Sequence, residues 1–449
     1  MKVTKVLLIR SSHYADNGKV VKSNTFLDRL FNSNYAELGL PLLAASTPPH
    51  IKVEMVDDCL DETPEKTEAE VIGISAMVIH YSRAVDLATH FRQQGKIVVM
   101  GGFLPTLHPK LVSEYADSLC IGEGDTVWPQ IIADIENDCL QKTYKSGVEN
   151  TMEGIPVPRY DLIKKNRVTL YPVIASRGCV HTCNYCSVIC FYQNTFRTRP
   201  IADVIRDIKA HKSKFMYFVD DNLMDSGEYA KELFRAMKGL KVYWGLQASP
   251  AIANDPELLQ LAYQAGCRTA AIGFETINQD NLNVSSKGWA KAQDYKLSVS
   301  RIQDAGIAVH ALVMFGFPHD TPDVFDTTVD FLIDAGVAGV DFFILTPYPA
   351  TPLGKKYISE GLITDFDINH YREPYVVFKH PVMTGEEIQK GFWMALKRFY
   401  SIKNIYKRLR YSNVPNKLFA IYTNLYYRRK VRNKIVPTHN QRGDYRIGF

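Results

Sequence analysis

The chain has 449 residues, 46% hydrophobic, 11% aromatic and 22% charged, with a net charge of +5. That suits a soluble globular protein of two or three domains and excludes a disordered chain, a collagen-like chain and a disulfide mini-protein. Eight cysteines, three of them within eight positions, point to a reduced cytoplasmic protein with a metal or redox site. No apolar run reaches the ~18 residues of a spanning helix, and Val6-Leu7-Leu8-Ile9 reads as a strand, not a signal peptide.

In the first third, continuous apolar runs predict strands at Lys5–Arg10, Ile51–Asp57, Glu70–Ala76, Lys96–Gly101 and Ser118–Gly122. Helical spacing fills the gaps, as at Ser82–Gln94. Several strands end in glycine, the pattern of a doubly wound, Rossmann-like α/β domain whose ligand sits beyond the carboxyl ends of the strands. This predicts a domain over 1–145. The polar stretch Lys142–Arg159, ending Pro156-Val157-Pro158, reads as a linker, centred on 146–165.

A second series places strands at Tyr171–Ala175, Phe215–Val219, Val242–Gln247, Thr269–Phe274, Ala308–Phe315 and Val340–Leu345. Helices at Ile201–Ala210, Glu228–Lys238, Pro256–Ala265, Asp294–Ala305 and Pro322–Ala335 separate most of them. Six units are two short of a closed eight-stranded barrel, so a partial (β/α)6 TIM-type barrel is expected over 166–370. After Tyr371 the pattern becomes mainly helical, giving a carboxyl-terminal region over 371–449.

Directly after the first strand of this series comes Ser176-Arg177-Gly178-Cys179-Val180-His181-Thr182-Cys183-Asn184-Tyr185-Cys186. Three thiolates at C-x3-C-x2-C can wrap one soft metal centre from a single loop. Bound to a four-iron cube they leave one iron open. A structural zinc site, completed by Cys190 or His181, is the alternative, and a set of inert thiols is the third.

This motif, with the aromatic Tyr185 before the last cysteine and its position after the first barrel strand, resembles the radical SAM superfamily. The resemblance implies a 4Fe–4S cluster on Cys179, Cys183 and Cys186 whose open iron binds S-adenosylmethionine (SAM). Reductive cleavage of SAM would give a deoxyadenosyl radical, fed by an electron donor such as flavodoxin or ferredoxin. It also implies a SAM site at the later strand ends. Asp220 or Asp221 would take the methionine ammonium. Gln247 and Ser249 end the third strand. Glu275 and Thr276, in Gly273-Phe274-Glu275-Thr276, would meet the SAM ribose or amino group, and Gly316 and Pro318 would lie near adenine. Cys190 falls outside the motif and reads as packing.

The amino-terminal domain resembles the cobalamin-binding domain that precedes this core in the class B, cobalamin-dependent radical SAM enzymes. The likeness rests on Gly73-Ile74-Ser75, Gly101-Gly102-Phe103-Leu104-Pro105-Thr106 and Gly122-Glu123-Gly124-Asp125. It implies that Ser75, Met77, Gly101, Gly102, Gly122, Glu123 and Gly124 line a corrin site, with His80 and Tyr81 as further approaches. The D-x-H-x-x-G motif that supplies a lower-face histidine to cobalt is absent, because Asp86 and His90 are four apart. The expected activity is cobalamin-mediated methylation of an unactivated carbon in a small-molecule or lipid substrate. Non-methylating cyclisation, oxidation or carbon–carbon bond formation is the alternative. A non-catalytic cofactor-binding or RNA-binding module is the second.

The tail holds 12 basic residues against one acid, Asp444, from Ser401 on, leaving the first 400 residues at −6. It also holds Tyr406, Tyr411, Tyr422, Tyr426, Tyr427 and Tyr445. Leu418-Phe419-Ala420-Ile421-Tyr422 beside Arg428-Arg429-Lys430 predicts an interfacial helix, hence peripheral membrane contact. A solvated charge run whose tyrosines pack back on the barrel is the first-ranked reading of the same residues, ahead of the membrane surface, and nucleic acid is the rival anion.

Overall fold

The structure, a computed structural model, describes residues 1–22, 37–147, 151–164, 170–411, 414 and 417–437. Residues 165–169, where the second series was expected to begin, lie outside the described residues, as do the end of the tail with Tyr445 and the side chain of Tyr411.

Two parallel sheets organise the chain. The first contains β1 (Lys5–Arg10), β2 (Lys52–Asp57), β3 (Val71–Ser75), β4 (Ile97–Gly101), β5 (Ser118–Ile121) and β6 (Thr143–Lys145), in the order β2-β1-β3-β4-β5-β6. Every neighbouring pair is parallel. Val6, Leu7, Leu8 and Ile9 are buried on both faces, which is why that run carries no polar alternation. The helix Tyr81–Gln93 covers one face through Ala84, Leu87, Ala88 and Phe91, and Gly124–Glu136 covers the other through Trp128, Ile131, Ile132 and Ile135. β6 corrects the linker expected at Lys142–Arg159: its three residues pair with β5, and Tyr144 anchors them through its hydroxyl on Asp134 at 2.6 Å.

The second sheet contains β7 (Tyr171–Val173), β10 (Phe215–Phe218), β11 (Tyr243–Ala248), β12 (Cys267–Glu275), β13 (Ala308–Phe315) and β14 (Gly339–Ile344). Its order is β7-β10-β11-β12-β13-β14, all parallel. β7 and β14 remain edges, so the barrel is partial. Between β7 and β10 a short antiparallel pair, β8 (Ser176–Gly178) with β9 (Phe196–Thr198), closes the base of the cysteine loop.

The helix Gly385–Phe399 begins with a Thr384–Glu387 capping box, worth about 1 kcal/mol, and buries Phe392, Leu396 and Phe399 in the barrel's outer core. The helix Lys417–Arg432 packs Ala420, Asn424, Tyr427 and Val431 inward. A cavity of about 560 Å³ lies between that helix and the strand starts at Met216, Trp244, Thr269 and Gly339, at the end of the barrel away from the cysteine loop. Among the described residues no helix is long and apolar enough to cross a membrane.

Candidate active site between the two sheets

The carboxyl ends of the two sheets face each other. On the barrel side, β8 and β9 hold residues 179–195 as a closed loop. Gly178 makes the closure feasible: its φ is +84°, and a Cβ there would lie 1.9 Å from the Thr195 carbonyl oxygen. Cys183 is buried, and Cys179 and Cys186 are half-buried. Burial pushes all three thiols up, Cys186 to about 12.

Donors converge on the Cys179 sulfur, which accepts from the His181 N–H at 3.4 Å and from Asn222 Nδ2 at 3.6 Å. Buried thiols that ionise only beside a cation, with donors aimed at sulfur, fit a thiolate-bound cluster. The alternative zinc set is not assembled. His181 Nε2 lies 2.7 Å from Asp225, and the Cys190 thiol faces the Ala350 carbonyl at 3.4 Å.

The acids at the end of β10 divide their roles. Asp220 or Asp221 was expected to take the methionine ammonium; the Asp220 carboxylate is spent on the backbone and on Ser176. It accepts from the Ala175 N–H at 3.1 Å, from the Ser176 N–H and from Ser176 Oγ at 2.6 Å. This ties β7 to β10 and leaves Asp220 buried. Asp221 takes the Gly178 N–H at 3.3 Å, and burial, aided by Asp220, pushes it up to about 7.

Asp225, which the sequence reading passed over, links the loop to Ser249: it meets His181, Asn222 Nδ2 at 2.7 Å and Ser249 Oγ at 3.0 Å. Burial works to raise it, but those three hydrogen bonds prevail and hold it below the usual carboxylate range. Glu275, at φ +65°, receives Lys287 Nζ at 2.8 Å, and the same ammonium donates to the Gly273 carbonyl at 2.8 Å. Thr276 is buried and accepts from the Asn278 N–H. The Gly316 N–H donates to Asp320 at 2.8 Å, and Phe317, next to Pro318, sets its ring edge-on to Tyr185. Gln247 sits one residue before the end of β11.

Across from the loop lies a cavity of about 350 Å³. Ser75, Met77, Gly101, Gly102, Gly122, Glu123 and Gly124 all line it, whereas His80 and Tyr81, also expected near the corrin, do not. Leu40, Leu43 and Trp128 form a deep apolar wall, and Arg177, Phe191 and Tyr192 reach in from the barrel. Gly102, at φ +96°, could carry no side chain, since a Cβ would lie 2.8 Å from the Ala76 oxygen; bare backbone therefore forms that part of the floor. No histidine lines the cavity among the described residues. His80 is buried beside His13 instead of facing the cavity, with parallel rings 6.1 Å apart. These features fit a large flat ligand with no protein imidazole on its metal.

The two sides are pinned together by charge. Arg177, between the Ser176 and Gly178 of the loop motif, is buried; it reaches Glu123 Oε2 at 2.8 Å and Asp125 at 3.0 Å. Arg197 also pairs with Glu123. The Glu123 expected on the corrin thus lines the cavity but commits its carboxylate to two arginines. Phe103 and Phe191 stack across the same junction at 4.4 Å.

Residues 173–332 match the Radical SAM superfamily. The chain is similar to the bacteriochlorophyllide d C-12(1)-methyltransferase of Chlorobaculum tepidum, at 28% identity over 83% of this chain and 84% of that relative. It is 25% identical to the C-8(2)-methyltransferase of the same organism over 87% of this chain and 91% of the relative. Among solved structures, the radical SAM methyltransferase TsrM from Kitasatospora setae, with cobalamin and a [4Fe–4S] cluster bound, superposes with a TM-score of 0.64. That match covers 96% of this chain and 100% of TsrM at 15% identity, a likeness of fold. Residues 173–332 thus form a radical SAM domain, a domain type that works with a 4Fe–4S cluster and SAM, and the chain is an enzyme. These two relatives are methyltransferases, and others that the chain matches more distantly are anaerobic magnesium-protoporphyrin IX monomethyl ester cyclases.

Proposed function

We propose that this enzyme methylates an unactivated carbon with cobalamin as the methyl carrier. The observation that carries the reading is the single cavity walled on one side by glycine-rich strand ends and on the other by residues flanking the cysteine loop. When bound, the cluster and SAM supply a deoxyadenosyl radical that takes hydrogen from the substrate, and cobalamin supplies the methyl group.

Cys179, Cys183 and Cys186 would hold the cluster. Asp221, Ser249 with Asp225, and the Glu275–Lys287 pair would meet the polar groups of SAM's methionine and ribose. Gln247, Thr276, Gly316 and Pro318 would shape the rest of its pocket. Ser75, Met77, Gly101, Gly102, Gly122 and Gly124 would floor the corrin, with Glu123 acting through its arginines. Phe103, Phe191 and Tyr192 would exclude water from the reacting carbon.

The substrate is a small molecule. The two bacteriochlorophyllide methyltransferase relatives and the aromatic junction support a large, mostly apolar ring system of the tetrapyrrole class. The test is anaerobic turnover with SAM deuterated in its methyl group and a chlorin substrate bearing free peripheral alkyl groups. The expected product gains one trideuterated methyl; an unchanged or dehydrogenated product would favour the non-methylating chemistry.

We also propose that the enzyme works in the cytoplasm at an anionic membrane surface. Three of the eight cysteines crowd into eight positions, a usage that suits a reducing compartment. The helix Lys417–Arg432 buries Tyr426 and Tyr427 but leaves Leu418, Phe419, Tyr422 and Leu425 more than 40% exposed. From Ser401 to Pro437 there are ten basic residues and no acid. Apolar side chains between cations favour lipid over nucleic acid, which needs only the charge. Because the helix also closes the barrel, point substitution is a cleaner test than truncation. Leu418→Glu with Tyr422→Glu should abolish co-sedimentation with phosphatidylglycerol vesicles; equal binding by parent and variant would remove the proposal.

A further inference from the structure

The solvent side of the cysteine loop carries a ring pair that the proposed chemistry leaves without a task. His181 and Trp289 stack with centroids 3.8 Å apart and planes 10° from parallel. His181 lies two residues from both Cys179 and Cys183, its N–H donates to the Cys179 sulfur, and Asp225 fixes its other end. Asn184 staples the 284–289 segment to the loop: its N–H donates to the Ser285 carbonyl at 3.2 Å and its Nδ2 to the Val284 carbonyl at 2.9 Å.

Trp289 is 37% exposed, Val180 45% and Val284 48%, so a small apolar patch sits over the loop. Residues 284–293 hold no acid, and Lys291 is the exposed cation on this side; Lys287 is buried beneath the indole, its Nζ 5.6 Å from the centroid and committed to Glu275 and the Gly273 carbonyl.

We infer that the Trp289–His181 stack is the electron-entry point of the enzyme, and that Val180, Val284 and Trp289 are the contact patch for a low-potential one-electron carrier protein with an acidic rim. The inference rests on the radical SAM reading. One electron leaves the reduced carrier, which is oxidised by one unit, and is the electron consumed when a carbon–sulfur bond of SAM breaks. No ring is oxidised: the stack carries the donor's approach from solvent to within two residues of two cluster ligands. An exposed tryptophan at the centre of such a patch is also the residue type that dominates binding at protein interfaces.

A rival approach exists. A cleft of about 500 Å³ beside Cys190, lined by Gln193, Asn194 and Lys355, lies next to the helix that follows Cys186.

The test uses the cluster-loaded full chain as parent, Trp289→Ala, Trp289→Phe and Lys355→Glu. Flavodoxin is the probe, with binding measured by calorimetry and cluster bleaching by stopped flow. Trp289→Ala should weaken flavodoxin binding about tenfold or more, the usual loss for an aromatic anchor. It should also slow flavodoxin-driven bleaching while dithionite still bleaches the cluster, and Trp289→Phe should recover most of both. Unchanged flavodoxin binding and bleaching in Trp289→Ala would overturn the inference, as would a loss confined to Lys355→Glu. Failure of the parent to take up iron would instead overturn the radical SAM reading.

Discussion

Removing Arg177 probes the junction on which the proposed site depends. Its side chain is 6% exposed, and its partners Glu123 and Asp125 are 7% and 9% exposed. Breaking a buried pair from one side costs about 3–5 kcal/mol, because the remaining charge is stranded. Arg197 would still hold Glu123, so Arg177→Met strands only Asp125, and the lower end, about 3 kcal/mol, is expected. Urea unfolding followed by tryptophan fluorescence reads this as a fall of about 1 M or more in midpoint at a slope of ~2–3 kcal/mol/M. Trp128, in the cavity wall, reports on the amino-terminal sheet. Adding Asp125→Asn to Arg177→Met should recover most of the loss, since Glu123 keeps Arg197 and no buried charge is then left alone. A cost under about 0.5 kcal/mol, the range of ordinary surface changes, would refute the clamp. So would a double variant no more stable than the single one.

Other expectations concern the site and its surroundings. Burial, reinforced by Arg372 and Arg10, pushes His13 down to about 3. The unfolded chain therefore takes the proton first, and stability present above about pH 6.5 is lost as pH falls toward 3; His13→Gln should flatten this slope in melting curves, and equal slopes would contradict it. Gly178→Ala forces a Cβ onto the Thr195 carbonyl, so the variant should lose most of its reconstituted iron; normal iron content would show that the hairpin tolerates the change. Glu275→Gln leaves Lys287 without its carboxylate and should weaken SAM binding in equilibrium dialysis with the cluster intact; unchanged affinity would make Glu275 purely structural.

The barrel strands were legible because each is a buried apolar run ended by a turn residue. Phe215–Val219 was expected and Phe215–Phe218 is found; the helices Ile201–Ala210 and Pro256–Ala265 coincide with their expected bounds. β6 was missed because Thr143–Lys145 buries only Tyr144 and joins the sheet as an edge. β8 and β9 were missed because neither Ser176-Arg177-Gly178 nor Phe196-Arg197-Thr198 is an apolar run, and they pair only once the loop between them closes.

Spacing marked the cysteine loop as a soft-metal site with zinc still open, and only the resemblance to the radical SAM superfamily implied a cluster. The Arg177 clamp was not legible: Glu123 and Asp125 lie 54 and 52 residues away, and nothing local marks them as partners. Asp220 and Asp221 were interchangeable as neighbours in sequence. Only the position of the β7 end tells the backbone clamp from the carboxylate left beside Gly178.

The measurement closest to the central claim is the product pair formed from SAM by the protein reconstituted anaerobically with iron, sulfide and cobalamin. With substrate and reductant present, the account predicts both deoxyadenosine and S-adenosylhomocysteine, the latter disappearing when cobalamin is withheld. Deoxyadenosine alone, at the same rate with and without cobalamin, would contradict it.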